Sequence, residues 1–203
     1  MRIQRMWMPG VLAVFLAVAG MAGCIGKSPR SSFYMLSPEP ADQLPTGSLS
    51  TAISVVGLGP IRMPDALDRS NIVTRTDANR LDISEYHRWA GNLGEILPRV
   101  MGENLAQILS PTPVVVYPWA GMAVPSHRVA LDIIRFDGVR GDRIVLMANW
   151  SISGPNGSAT PRIGRSRVEE PIASIGYDDY VAAQSRALAT LSREIADALV
   201  AAF

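Results

Sequence analysis

The sequence predicts an α/β fold, a mixed β-sheet covered by two long helices. Two segments, one from Leu93 to Leu109 and one from Asp178 to about Ala202, repeat apolar residues at helical spacing. Between and before them lie shorter segments that alternate apolar with polar residues, or run apolar without a break, each bounded by Gly, Pro, Asn or Asp.

The first element is not part of that domain. Arg2 and Arg5 precede an apolar run from Val11 to Met21 that ends in small residues, the pattern of a secretory signal. The run is shorter than the roughly 20 residues that a membrane-spanning helix needs, so a cleaved leader over residues 1–23 is expected. Its end, Met21-Ala22-Gly23-Cys24, resembles a bacterial lipobox, in which the cysteine thiolate takes a diacylglyceryl group and becomes the first residue after cleavage. At about 0.8 kcal/mol per buried methylene, two or three acyl chains make dissociation from a membrane negligible. Cys24 is the single cysteine, so attachment is open to it and an intramolecular disulfide is not. Ile25 follows it rather than an aspartate, which under the sorting rule of such lipoproteins favours release to the outer membrane.

Residues 24–32 read as a lipidated tether, polar, small and proline-containing, and residues 33–203 as one periplasmic domain. Within it, Phe33-Tyr34-Met35-Leu36 reads as a short strand, followed by a Pro-, Gly- and Ser-rich loop to Ser50. Ala52 to Leu58 is apolar on both faces, as in a strand covered from both sides, and Gly59-Pro60 to Asp65 is expected to interrupt it. Asn71–Arg75 and Arg80–Ser84 flank Asp77-Ala78-Asn79 as a hairpin. Asn92 and Glu95 have the spacing of a capping box ahead of the first helix, and Pro98 predicts a kink or a broken first turn near Gly94. Thr112–Tyr117, Arg128–Phe136 and the segment from Ile144 to Ser153 read as strands, the last placing Ile144, Leu146, Ala148, Trp150 and Ile152 on one face. Gly154-Pro155-Asn156-Gly157 is expected to close a hairpin onto an edge strand between Ala159 and Glu170. The last helix aligns Leu188, Leu191, Ile195 and Leu199, with Asp178 and Asp179 at the positive end of its dipole.

Composition limits the function classes. Without residues 1–23 the chain has 17 basic against 18 acidic side chains, a net charge of −1, and no basic patch of the kind that binds nucleic acid. Its length suffices to bury about 70% of the unfolded surface, enough for one core without metals or disulfides. Lys27 is the only lysine.

Catalytic and cofactor motifs are scarce. His87 and His127 have no zinc-ligand spacing, and His87, in Glu85-Tyr86-His87-Arg88-Trp89, reads as a residue of a loop or helix start. The sequence has no Gly-x-Ser-x-Gly elbow, no Ser-x-x-Lys and no phosphate-cradling Gly-x-x-x-x-Gly-Lys. No enzyme activity, cofactor or metal is therefore expected, and Cys24 is the one site residue assigned. Arg162, Arg165 and Arg167 are charges of an edge strand or contacts for an acidic partner, and Trp89 and Trp119 are placed in loops, as packing residues or contact anchors.

Several ordered segments resemble the ABC-type transport auxiliary lipoproteins, the PqiC-like family. They are Phe33-Tyr34-Met35-Leu36, Val56 to Pro64 with Leu67-Asp68-Arg69, Trp89-Ala90 leading to Leu93 and Leu97, and Tyr177-Asp178-Asp179-Tyr180-Val181 with Ala187-Leu188 and Leu191-Ser192. Pro98 departs from the family's helix. The resemblance implies a domain similar to the amino-terminal domain of TolB. It also implies a docking role, at the outer membrane, for a lipid-transport system with a periplasm-spanning MCE-domain protein and an inner-membrane permease. A lipid-binding carrier or acceptor is the alternative, and a hydrolase with a dispersed site a third. The subunit count, a homo-oligomer included, stays open.

Overall fold

The computed structural model describes residues 29–40, 53–119, 124–154 and 160–201. Residues 31–203 fall in one compact unit. Cys24, the leader and most of the tether lie outside the described residues, as do Ala52 and most of the turn at 154–157.

The fold is α/β, as expected, with its strands divided between two sheets. The smaller has the order β1-β4-β3, from β1 (Ser32–Tyr34), β3 (Asn71–Asp77) and β4 (Arg80–Trp89). The larger has the order β5-β2-β6-β7-β8, from β2 (Val56–Arg62), β5 (Val114–Val116), β6 (His127–Gly138), β7 (Arg143–Ser153) and β8 (Arg162–Pro171). Its β5, β2 and β6 are mutually parallel, while β6, β7 and β8 run antiparallel. Two helices, α1 (Leu93–Ile108) and α2 (Tyr177–Val200), pack against each other; α1 lies on β2 and β5, and α2 on β7 and β8.

Alternation along the strands puts the core between the larger sheet and the helices. Val129, Leu131 and Ile133 of β6 and Ile144, Leu146, Ala148 and Ile152 of β7 are buried, and meet the fully buried Leu188, Leu191, Ile195 and Leu199 of α2. A register shift between Ile133 and Arg135 exposes Ile134 and returns Phe136 to the core.

β2 runs through Gly59-Pro60 instead of ending there. A register shift between Leu58 and Ile61 leaves these two residues outside the ladder, so the missing proline N–H breaks no sheet bond. Gly59 has φ +120° and a Cβ there would lie 2.6 Å from the Cβ of Tyr117, two reasons for glycine.

The hairpin β3–β4 forms around Ala78 and Asn79 as expected, with β4 reaching Trp89. That extension corrects two expectations, because His87 and Trp89 are strand residues, and Trp89 is 2% exposed in the core. Asn92 does occupy the cap of α1, but its side chain makes no cap hydrogen bond. The capping-box expectation therefore fails: the backbone N–H groups of Glu95 and Ile96 reach the Asn92 carbonyl instead. α1 is continuous from Leu93 with Pro98 inside it, so the first turn is not broken. Its turns are held by burial of Leu93, Ile96, Leu97, Val100 and Met101.

Candidate functional site

The smaller sheet meets the rest of the domain at the start of α2. Tyr180 is fully buried, and its hydroxyl accepts from Gly138 N–H of β6 (3.1 Å) and donates to the Val73 carbonyl of β3 (2.9 Å). Burial pushes its phenol well above the ordinary tyrosine range, so it stays neutral. Beside it Asp137, its side chain 4% exposed, receives Arg75 through two bonds (2.7 and 2.9 Å) and Arg135 through one (2.9 Å). The hydrogen bonds that Arg75 donates to the Asp137 carboxylate hold it charged, its value raised further above normal. One residue of α2 and one carboxylate of β6 thus fasten β3 to the larger sheet.

An aromatic cluster continues outward from Tyr180. The Tyr177 ring lies 6.4 Å from that of Tyr180 and stacks on His87 at 3.8 Å. His87 Nδ1 pairs with the Tyr34 hydroxyl at 2.8 Å, and the Arg140 guanidinium sits 4.6 Å from the Tyr177 ring centre. Burial, then the charge of Asp178, raises the Tyr34 phenol. This cluster fixes β1, the first element of the domain, against β4 and α2.

Past Tyr34 the chain runs along α2 and encloses an open groove of about 490 Å³. One wall is Phe33, Met35, Pro38 and Pro40; the other is Asp178, Val181, Ala182, Ser185 and Arg186. Phe33 and Met35 are 66% and 62% exposed, while Leu36 is 3% exposed in the core. The segment is clasped at its far end, where Glu39 N–H donates to Asn104 Oδ1 of α1 (2.9 Å) and the Glu39 carboxylate takes Arg193 of α2. Ser185 Oγ donates to the Val181 carbonyl (3.0 Å) and accepts Ser37 N–H (3.2 Å), so this hydroxyl is committed to structure, and among the described residues no base pairs with it. What the groove offers is contact area.

A second open concavity, of about 330 Å³, lies on the outer face of the larger sheet, between Arg62, Asp132, Asn149, Ser151 and Ile163. Of the arginines singled out in sequence, Arg167 is tied to Glu169 (2.6 Å), which Arg143 also holds; their hydrogen bonds lower the Glu169 carboxyl. Arg162 and Arg165 are exposed on β8, an edge strand of the larger sheet. Trp119 follows β5 and covers Gly57 on the side of β2 away from Leu58, with Arg128 5.2 Å from its ring centre. His127 is 2% exposed, and burial lowers its ring below the usual histidine value. The two histidines lie in different sheets, and among the described residues no three His, Cys, Asp or Glu side chains converge on a point.

The arrangement is that of a mixed α/β domain, and its fold is found in solved proteins. A crystal structure of an uncharacterised protein superposes with TM-score 0.67 at 20% identity, over 84% of this chain and 99% of that one. A Xanthomonas campestris protein does so with TM-score 0.62 at 15% identity, over 84% and 95%. Comparison with curated proteins gives no match. The family model of the ABC-type transport auxiliary lipoprotein component matches residues 34–196, and the chain belongs to that family. It is a family of lipoproteins that serve ABC-type transport as auxiliary components.

Proposed function

We propose that this chain is an outer-membrane lipoprotein that docks an MCE-type intermembrane lipid transport system from the periplasmic side. Residues 1–23 are its cleaved leader, Cys24 its lipid-attachment site, residues 24–32 its tether and residues 33–203 its working domain. The observation that carries the reading is the family match beginning at residue 34, ten residues after the lipobox cysteine. Tethering raises the local concentration of the domain at the membrane, so modest affinity for a periplasm-spanning MCE-domain protein, itself joined to an inner-membrane permease, is enough to hold the two together.

The alternative, a lipid carrier, calls for an enclosed apolar cavity of several hundred cubic ångströms. The two concavities described above are open and edged with charge, which favours docking over carriage.

Cross-linking in intact cells followed by detergent extraction tests the docking role: an MCE-domain protein is expected in the complex, and its consistent absence refutes the assignment. For the anchor, Cys24→Ser is expected to leave the precursor unprocessed or untethered. Normal outer-membrane fractionation of that variant would refute lipidation at Cys24.

A further inference from the structure

The groove beside α2 is bordered by a strand edge. Ala90 N–H donates to the Tyr34 carbonyl (2.9 Å) in the parallel pairing of β1 with β4, so the backbone of Tyr34 faces β4. Backbone groups alternate along an extended chain, which turns the N–H and C=O of Phe33 and Met35 the other way, toward the groove. The alternating exposure of Phe33, Tyr34, Met35 and Leu36, and the bond from Ser37 N–H to Ser185 on α2, show the same alternation continuing past the end of β1. Among the described residues these outward groups have no hydrogen-bonding partner.

We infer that the groove receives an extended polypeptide segment, which adds as a strand to the free edge of β1 and lays alternate side chains against Val181 and Ala182. This rests on the docking role and names how the partner is held. Main-chain bonds to Phe33 and Met35 supply the register, and the apolar walls select side chains at every second position. The rim adds a charge preference. Arg186 is already bonded to Glu170 (3.4 Å) and to the Pro171 carbonyl (2.8 Å), whereas Asp178 makes no ion pair with a described residue. A basic residue near one end of the bound segment complements it. A lipid surface fits less well, because hydrocarbon would leave the N–H and C=O groups of the edge without partners, at several kcal/mol each.

The test selects displayed random peptides on the full-length lipidated protein in detergent micelles, with hydrogen exchange of the bound state. Enriched peptides are expected to alternate apolar residues, to carry a basic residue, and to slow exchange at the Phe33 and Met35 amides. Met35→Pro deletes an edge donor outside the β1–β4 ladder, and Ala182→Arg fills the groove from an exposed helix position. Each is expected to weaken binding about tenfold or more, whereas Met35→Ala, which keeps the N–H, weakens it less. The inference is overturned if no peptide is enriched, or if binding survives both Met35→Pro and Ala182→Arg. It is equally overturned if vesicles of phosphatidylethanolamine and phosphatidylglycerol, rather than peptides, protect those amides. Recovery of an MCE-domain protein by cross-linking together with any of these failures removes the strand-addition site and leaves the docking role standing.

Discussion

Replacing Tyr180 by phenylalanine removes one oxygen atom and nothing else, yet two buried backbone groups lose their partner. Gly138 N–H and the Val73 carbonyl both bond to that hydroxyl in a site with no exposure. A buried polar group left unsatisfied costs about 1–3 kcal/mol, and partial relaxation brings the pair to about 2–4 kcal/mol. With a urea dependence of about 2 kcal/mol per molar, the unfolding midpoint of Tyr180→Phe should fall by roughly 1–2 M at unchanged slope. Tyr177→Phe, in the same cluster, has no hydroxyl hydrogen bond to lose among the described residues and serves as the control. The acid–base behaviour of Tyr180 gives a second reading of the same atom. Because burial raises its folded-state value above the unfolded tyrosine value of about 10, stability is complete below that pH and falls as pH rises beyond it. That alkaline slope should be reduced in Tyr180→Phe. A midpoint change under about 0.5 M, or an alkaline profile like that of the wild type, would refute the role given to this hydroxyl.

Further outcomes follow from other contacts. Asp137→Asn leaves Arg75 and Arg135 without their counter-ion; with both arginines partly exposed the expected loss is about 2–3 kcal/mol, below the 3–5 of a fully buried pair, read from chemical denaturation. Gly164→Ala places a Cβ 2.1 Å from the Trp150 indole, so the ring must move and its Nε1 bond to Ser166 Oγ (2.9 Å) breaks; loss of near-ultraviolet tryptophan ellipticity and a loss of about 1–3 kcal/mol are expected. His127 has its folded value lowered by burial, so its neutral form is favoured and stability declines as pH falls below about 6.5; His127→Gln should flatten that acid limb of the thermal-midpoint profile.

The elements most legible in the sequence are those whose burial pattern has a clear period. The stripe Leu188, Leu191, Ile195 and Leu199 and the alternation from Ile144 to Ile152 both fall on the core as read, with Trp150 partly buried at the sheet's end. The misreadings share a cause: local rules gave way to packing. Gly59-Pro60 carries a turn signal, but a bulge absorbs both residues inside a strand held between two parallel neighbours. Pro98 breaks isolated helices, but α1 is held by its buried face. Glu85 to Trp89 has no strict apolar alternation, because the face of β4 at His87 meets the rings of Tyr34 and Tyr177 rather than a regular apolar layer. The groove was beyond sequence reading for a different reason. Its walls lie about 150 residues apart in the chain, and an unpaired N–H has no residue-type signature.

The pairing of β1 with β4 also sets how the domain answers tension. A pull on the chain from the side of Arg30 runs along β1, across its bonds to the parallel β4, and so loads them together in shear instead of opening them one at a time like a zipper. Behind them stand Leu36, wedged in the core, and the Glu39 latch onto both helices. The grip on β1 is therefore strongest against pull along the strand and weakest against a pull that peels it sideways from β4.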